Sequence, residues 1–372
     1  MIIPLSRPVI NEEMVTALKD AIYNERLVGG KSVDLFEKEF ADYVGSRYAV
    51  SVNSGTSALF LIMKAMGIKR GDIVITTSAT FIATVNAISE SGGTPLFVDI
   101  DKEDNNISVR KLEDALNSLD RKRVKAILPV HLYGRPADMD SILRIANEVG
   151  VPVIEDACQA HGAIYKARRA GSMGIASAFS FYTSKNMTVA GDGGMVVTND
   201  EEVADKIRQL RNQGSSKNDK YLHERVGYNF RLNTINAAFG RVQLRHLDDW
   251  LNNRRKIVDV YNSKLKNVGG VVLPPNDDDL IRSAWHLFVI KTNRRDNLKE
   301  YLQNKSVETG IHYPIPVHMQ PPYSRRRLLA SAGLENTEIW SKNVLSLPIY
   351  NDMKVDDANF VAERVTEYFE GN

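Results

Sequence analysis

Short apolar runs alternate with longer amphipathic stretches through the first two thirds of the chain. Runs of this length are typical of strands that are buried on both faces, and the stretches between them repeat apolar residues at helical spacing. The alternation predicts an α/β fold, a mostly parallel seven-stranded sheet with helices on both faces. The predicted strands are residues 48–52, 73–77, 96–100, 125–130, 151–155, 178–182 and 195–198, and the predicted helices include 57–66, 80–89, 139–149 and 201–212.

The pattern changes after Asn233. Residues 234–265 form one long helical pattern without proline, and a strand-like segment, WHLFVIK, follows the prolines at 274 and 275. A further helix near 296–304, a proline-rich loop at 314–322 and a terminal helix complete a smaller α+β domain. We therefore expect a large cofactor-binding domain at 1–245 and a small C-terminal domain at 246–372.

Composition excludes several classes of protein. The 372 residues include 48 basic and 46 acidic side chains, a net charge of +2, so the strongly basic surface typical of nucleic-acid binding is not expected. The basic triplets at 121–123 and 325–327 are more typical of solvated surface. Cys158 is the only cysteine, so no internal disulfide can form. The N-terminal segment lacks the apolar core of a signal peptide, and no apolar stretch is long enough to span a membrane. We expect a cytoplasmic protein without membrane or nucleic-acid partners.

Two opposite charges follow two predicted strands. Asp156 ends the apolar run at 151–154, and Lys185 comes a few residues after the run at 176–181. Ligands of open α/β sheets bind beyond the carboxyl ends of the strands, so both side chains are expected at one site. A lysine amine can form a Schiff base with pyridoxal phosphate, and an acid is the usual partner of its pyridine nitrogen. The alternatives are a helix-capping or surface aspartate and a solvated lysine.

Other residues also fit a cofactor site, although each of them can equally be explained by a structural role. The segment NSGTSAL at 53–59 opens a helix after the first strand, where backbone amides and hydroxyls favour phosphate, although Ser and Thr also cap helices. Phe81 follows the second strand and is placed either to stack on a flat ring or to fill the core. Gln159 and His161 follow Asp156 at spacings that bring them toward the same pocket, although a lone histidine is more often structural.

These segments together resemble the DegT/DnrJ/EryC1/StrS aminotransferases, also called sugar nucleotide aminotransferases. The resemblance extends over nearly the whole chain, and its motifs occur in the order that is typical of the family. They are LVGGKSVDLFEKEF at 27–40, NSGTSAL at 53–59, TF at 80–81, PVHLYGRPADMD at 129–140, EDACQAHGA at 155–163, SFYTSKNMTVAGDGG at 180–194, GYNFRL at 227–232 and HYPIPVH at 312–318.

The resemblance implies a fold type I pyridoxal phosphate enzyme that works as a homodimer with shared active sites. Lys185 matches the Schiff-base lysine, and Asp156 matches the acid that pairs with the ring nitrogen. The other matched positions are Gln159 near the ring hydroxyl, Phe81 stacking on the ring, Gly55, Thr56, Ser57 and Ser180 at the phosphate, Asn229 lent to the phosphate by the partner subunit, and Tyr313 and His318 on the substrate side. No metal is expected.

The implied reaction moves an amino group, with L-glutamate as the expected donor, through pyridoxamine phosphate to a keto group of a nucleotide-linked keto-deoxysugar. A keto group at position three and one at position four of the sugar both remain open. Ser184 before the lysine and Ala167 in the turn at 167–169 depart from the residues that are usual in the family. Neither change removes a cofactor group, so only the local loop geometry is affected.

The alternatives are a pyridoxamine-dependent sugar dehydratase, which carries histidine in place of the lysine, and a non-enzymatic regulatory protein. A nicotinamide oxidoreductase would need a G-x-G-x-x-G turn after the first strand, which this chain lacks.

Overall fold

The strands of the computed structural model, which describes residues 2–219, 221–324 and 333–371, are short and mostly buried. Continuous burial along a strand means that both of its faces are covered, as in an α/β sheet. In chain order they are β1 Tyr48–Val52, β2 Ile73–Thr77, β3 Thr94–Val98, β4 Val124–Ile127, β5 Ile154–Asp156, β6 Ile164–Tyr165, β7 Arg168–Arg169, β8 Ala176–Ser180, β9 Gly194–Thr198, β10 Ile281–Arg282, β11 Phe288–Lys291 and β12 Val344–Leu347.

The seven predicted strands pair in two hydrogen-bonded sheets. One has the order β3-β2-β4 and is parallel, and the other has the order β1-β9-β8-β5. Within the second sheet β9 runs antiparallel to both neighbours, whereas β5 and β8 are parallel. Single parallel bridges, Ile127 with Val153 and Val130 with Asp156, link the sheets between β4 and β5.

The α/β architecture is therefore confirmed, but one mostly parallel seven-stranded sheet is not confirmed in that form. The connection from β8 to β9 contains no helix, so the chain returns beside β8 in the opposite direction. A parallel return would have required a crossover connection, usually a helix.

Helices cover these sheets and build the C-terminal part. Several begin at side-chain caps that the sequence supplies, such as Ser54, Asp138 and Asp200. The helices are α1 Glu12–Asn24, α2 Lys31–Val44, α3 Gly55–Ala65, α4 Ile82–Glu90, α5 Val109–Ser118, α6 Met139–Val149, α7 Glu201–Arg211, α8 Thr234–Leu265, α9 Arg295–Asn304, α10 Pro321–Ser324, α11 Glu335–Asn343 and α12 Val355–Glu370, with 3-10 turns at Arg121–Arg123, Leu132–Gly134 and Val317–Met319.

The long helix α8 packs against two hydrophobic cores. Its first half contributes Leu247 and Leu251 to the core beneath β8 and β9. Its second half contributes Ile257 and Tyr261 to a core built by β11, β12, α9 and α12, which Ile3 also joins. The core that α8 contacts thus changes between 251 and 257, near the predicted boundary at 245, and the division into two domains stays a prediction.

Two further observations bear on the sequence expectations. The triplet at 121–123 is exposed, as expected for solvated surface, and the triplet at 325–327 lies outside the described residues. In the part of the chain that the structure describes, no helix is long and apolar enough to cross a bilayer.

Candidate active site

A cavity of about 430 Å³ lies where β5 and β8 end and α3 and α4 begin. Loops at this edge of the sheet are the usual place for ligands in α/β folds. Eight of the predicted site residues line it, namely Gly55, Thr56, Phe81, Asp156, Gln159, Ser180, Lys185 and Tyr313. The structure thus brings together residues that are far apart in the sequence.

The first turn of α3 forms one wall. Ser54 caps this helix, its Oγ accepting from the backbone N–H of Ser57 at 3.0 Å. Gly55 packs so closely that an added Cβ would lie 2.6 Å from the Cβ of Ser180. Amides at a helix N-terminus favour an anion, and Thr56 and Ser180 add hydroxyls to the same wall. This wall can hold a phosphate group.

Asp156, the last residue of β5, is 4% exposed and held from two sides. The hydroxyl of Thr84 donates to its Oδ2 at 2.7 Å, and the backbone N–H of Cys158 donates to its Oδ1 at 3.1 Å. Thr80 contacts the hydroxyl of Thr84 at 2.9 Å, so the carboxylate has a fixed orientation. A buried, oriented carboxylate favours a positive charge beside it, such as a protonated ring nitrogen.

Lys185 lines the cavity from the loop that follows β8. Its backbone N–H donates to the carbonyl of Tyr182 at 2.8 Å, which fixes the turn that presents the side chain. Burial lowers the pKa of Lys185, and Asp156 partly opposes this effect. A lowered pKa increases the neutral fraction of the amine, which is the nucleophilic and basic form.

Gln159 and two aromatic side chains complete the cavity. The Oε1 of Gln159 accepts from the backbone N–H of Tyr133 at 2.7 Å, and its Nε2 donates to the hydroxyl of Tyr313 at 3.2 Å. Phe81 is 53% exposed, and its ring centre lies 5.8 Å from that of Tyr313. An aromatic face exposed beside a carboxylate and an amine is suited to a flat ring.

A buried pair supports this site from behind. Glu155, beside Asp156 on β5, contacts the Nε2 of His131 at 2.9 Å and accepts from the backbone N–H of Gly174 at 2.6 Å. The Nδ1 of His131 accepts from the backbone N–H of Ala137, so Nε2 carries the proton and donates to Glu155. Burial acts to raise the pKa of Glu155, but these hydrogen bonds outweigh it and lower the pKa.

Four residues considered in the sequence do not line the cavity. Ser57 belongs to the cap of α3, where its hydroxyl accepts from Ser54. Asn229 is exposed on the surface. The Nδ1 of His318 lies 2.7 Å from the Oγ of Ser78, so this residue anchors the loop of Tyr313.

The fourth of these residues, His161, is a core residue in the structure. Its ring lies 5.4 Å from that of Phe179 and 5.8 Å from that of Phe181, measured between ring centres. Burial lowers its pKa to about 3, so the imidazole is neutral at neutral pH. The structural interpretation of this histidine is therefore the correct one.

Sequence reasoning missed several residues of the cavity. Thr84, the hydroxyl partner of Asp156, follows Thr80 at the spacing of one helical turn, which is a usable signal. Another part of the wall comes from distant segments, and no local pattern marks it. This part consists of Leu5, Ser6, His286, Leu287 and His312.

The chain is similar to one family of known proteins. The sequence model of the DegT/DnrJ/EryC1/StrS aminotransferase family matches residues 8–366. The dTDP-3-amino-3,4,6-trideoxy-alpha-D-glucose transaminase of Streptomyces venezuelae is 40% identical over 361 residues, which is 97% of this chain and 93% of that protein. The GDP-perosamine synthase of Caulobacter vibrioides is 38% identical over 337 residues, 89% of this chain and 88% of that protein. The crystal structure of S. venezuelae DesV in complex with a ketimine intermediate superposes with a TM-score of 0.91 at 40% identity, covering 96% of this chain and 94% of that one.

Proposed function

Because this chain belongs to the DegT/DnrJ/EryC1/StrS aminotransferase family, we propose that it transfers an amino group to a keto group of a nucleotide-linked sugar, with pyridoxal phosphate as cofactor. The predicted family, transaminase activity and cofactor are confirmed by the family match and by the relatives. The observation that carries the proposal is that Lys185, Asp156 and the first turn of α3 face one cavity.

The residues present fit this cofactor. The close contact between Gly55 and Ser180 leaves the amides of α3 accessible to a phosphate, and the carboxylate of Asp156 is oriented where a ring nitrogen would need a negative partner. Phe81 supplies a face for the ring. When bound, pyridoxal phosphate supplies an electron-accepting ring that stabilises the charge left by a broken C–H bond.

Each residue then has a role in the reaction. The Nζ of Lys185 would hold the cofactor and, when free, would carry a proton from the amine-bearing carbon of the substrate to the cofactor, a task favoured by its lowered pKa. With the cofactor bound, Asp156 would keep a proton on the ring nitrogen. Gln159, whose side chain is fixed by Tyr133, would contact the ring hydroxyl. Thr84 keeps the carboxylate of Asp156 in place.

We further propose a homodimer in which Asn229 serves the phosphate of the partner subunit. Large apolar side chains are exposed on α1 and on the two loops near this residue, including Tyr23, Leu27, Val28 and Val226. Large apolar side chains that are exposed in the single chain are typical of an interface. Light scattering of the purified protein tests this proposal, with twice the chain mass expected.

The remaining proposals concern organisation and location. We propose the domains 1–245 and 246–372, supported by the two separate cores that the first and second halves of α8 contact. We also propose a cytoplasmic location, since a chain with Cys158 as its only cysteine has no internal disulfide that an oxidising compartment would form. Tyr313 is proposed to contact the sugar, because it lines the cavity beside Gln159. His318 does not line the cavity, so its proposed role in substrate binding is to hold the loop that carries Tyr313.

An absorption experiment tests the amino-donor half of the reaction. The protein loaded with pyridoxal phosphate is expected to show the visible band of the lysine-bound cofactor, and L-glutamate is expected to convert it to the pyridoxamine form with release of 2-oxoglutarate. Lys185→Ala should abolish the band, whereas Lys256→Ala, an exposed lysine of α8, should leave it unchanged. A wild-type band that no amino donor alters would contradict a transaminase and favour the dehydratase or regulatory alternative.

The half-reaction with the sugar is tested in its reverse direction, in which an aminated sugar donates its amino group to the cofactor. dTDP-3-amino-3,4,6-trideoxy-alpha-D-glucose and GDP-perosamine, the compounds named for two relatives, are each added to the pyridoxal form. Conversion to the pyridoxamine form by either compound identifies the base and the amino position that the cavity accepts. Reaction with L-glutamate but with neither sugar would show that the sugar substrate is a different one.

A further inference from the structure

The cavity wall formed by 286–287 and 312–313 contains a histidine without an assigned role. His286 is 6% exposed and lines the cavity together with Lys185. Its Nδ1 is buried and finds no hydrogen-bond partner in the described part of the chain. A buried polar group without a partner is costly, and such groups usually have a functional explanation.

The backbone of this histidine is held rigidly. Arg254 of α8, 2% exposed, donates through Nη1 to the carbonyl of Trp285 at 2.9 Å and to that of His286 at 3.3 Å. On the other side, the backbone N–H of Leu287 donates to the carbonyl of Tyr133. The imidazole is therefore presented from a fixed segment and not from a loose loop.

The same network reaches the reactive lysine. The Nε of Arg254 donates to the Oδ1 of Asn351 at 2.8 Å, and the Nδ2 of Asn351 donates to the carbonyl of Asn186 at 2.8 Å. Asn186, directly after Lys185, donates in turn to the carbonyl of Ala284 at 2.6 Å. The chain at 185–186 and the chain at 284–286 are thus fixed relative to each other.

The groups around His286 indicate which type of ligand group it can bind. Burial lowers the pKa of His286 well below its usual value, and the positive charges of Lys185 and Arg254 act in the same direction, as do His312 and His161. The ring is therefore neutral at neutral pH, with one donor and one acceptor nitrogen. A neutral imidazole of this kind matches a hydroxyl group, which both donates and accepts, better than it matches a carboxylate.

We propose that His286 binds a hydroxyl group of the sugar and thereby contributes to binding of the nucleotide-linked sugar but not to the reaction with the amino donor. This inference rests on the proposed function. L-glutamate has no hydroxyl group, whereas a hexose presents several. The role is that of a specificity-determining residue, and the proton transfers remain with Lys185.

The two half-reactions separate this role from a structural one. We expect His286→Leu to raise the concentration of sugar that half-saturates the reverse sugar half-reaction about tenfold, the effect of one hydrogen bond. The sugar is whichever of dTDP-3-amino-3,4,6-trideoxy-alpha-D-glucose and GDP-perosamine converts the wild type. The rate with L-glutamate should change less than twofold. His286→Gln, which keeps a neutral hydrogen-bonding group, should recover part of the loss.

A binding measurement gives a readout that does not depend on turnover. The pyridoxamine form cannot react with an aminated sugar, so calorimetry reports the dissociation constant of that complex directly. We expect the constant to rise about tenfold in His286→Leu and to stay unchanged in His246→Gln, a half-buried histidine of α8 paired with Glu13.

Parallel losses in both half-reactions would overturn the proposal, because they indicate a structural role. Unchanged sugar binding in His286→Leu would overturn it as well. If His286→Leu does not fold, His286→Gln decides alone, since a selective effect on sugar binding is still expected. Failure of the wild type to react with either sugar concerns the proposed function and not His286.

Discussion

The contact between Gly55 and Ser180 gives a sharp test of how the phosphate wall is built. In Gly55→Ala the new Cβ would lie 2.6 Å from the Cβ of Ser180 and 3.0 Å from the Sγ of Cys158. Carbon atoms pack at about 3.5–4.0 Å, so the first turn of α3 must move away from β8 by about 1 Å. Overpacking of this kind costs about 1–3 kcal/mol of stability.

The same displacement weakens cofactor binding. A shift of about 1 Å takes a backbone amide out of the 2.7–3.2 Å range of a hydrogen bond. A hydrogen bond to a charged group contributes about 1.5–3 kcal/mol, so one lost bond corresponds to a roughly tenfold to hundredfold higher dissociation constant for pyridoxal phosphate. Absorption titration measures that constant, and urea unfolding of the cofactor-free protein measures the stability.

Two further variants identify the contact itself. Ser180→Gly removes the opposing Cβ, so combined with Gly55→Ala it should restore part of the lost stability, whereas Ser180→Ala keeps the Cβ and should restore none. Gly269→Ala is the control, because nothing lies within 4 Å of an added Cβ there. Wild-type stability in Gly55→Ala, or additivity in the double variant, would refute the reasoning.

Three other variants test separate parts of the molecule. Asp99 caps α11 by accepting hydrogen bonds from the backbone N–H of Thr337 at 2.9 Å and from its hydroxyl at 2.7 Å. Asp99→Ala removes both bonds and should lower the free energy of unfolding in urea by about 1–2 kcal/mol. A change below about 0.5 kcal/mol would contradict the capping role. His161 has a pKa of about 3 in the folded protein against an ordinary 6.5, so the unfolded chain binds more protons between these values, and stability falls as the pH drops below about 6.5. His161→Leu should remove up to about 1.4 kcal/mol per pH unit from that slope, measured by urea unfolding at pH 7 and pH 5, and an unchanged slope would show that other groups cause it. Phe81→Ala should weaken pyridoxal phosphate binding up to about tenfold in an absorption titration while stability changes little, and Phe360→Ala, also exposed but on α12, should not affect binding.

Much of the fold follows from the sequence because its strands and helices carry strong local patterns. The strands at 48–52 and 73–77 and the helices at 139–149 and 234–265 have the predicted bounds. The strand expected at 96–100 begins two residues earlier, at Thr94. The antiparallel direction of β9 could not be read from its residues, since a buried strand has the same apolar character in either direction.

Some residues of the candidate site could likewise be predicted from the sequence, and others could not. Strand-end and helix-start residues such as Asp156, Lys185 and Gly55 could be identified, because their positions relative to predicted elements place them at one edge of the sheet. His286 and His312 could not, since their approach to the cavity depends on long-range packing of the C-terminal segment. The sequence does not separate the two roles of Ser57, because a helix cap and a phosphate contact require the same residue types.

The helical periodicity of α8 marks Arg254 as a buried position. This residue follows Leu251 by three residues and precedes Val258 by four, so it lies on the buried stripe of α8, where an arginine is unexpected. Burial lowers its pKa to about 9, so it is still charged at neutral pH, and its Nε and Nη1 donate to carbonyl and amide oxygens. A buried cation costs free energy unless its donors are satisfied, and here the acceptors are the Asn351 side chain and the carbonyls of Trp285, His286 and Ile349. One residue outside the cavity thus holds the backbone at His286 and helps to keep its imidazole neutral, so under our proposal α8 contributes to the sugar side of the site.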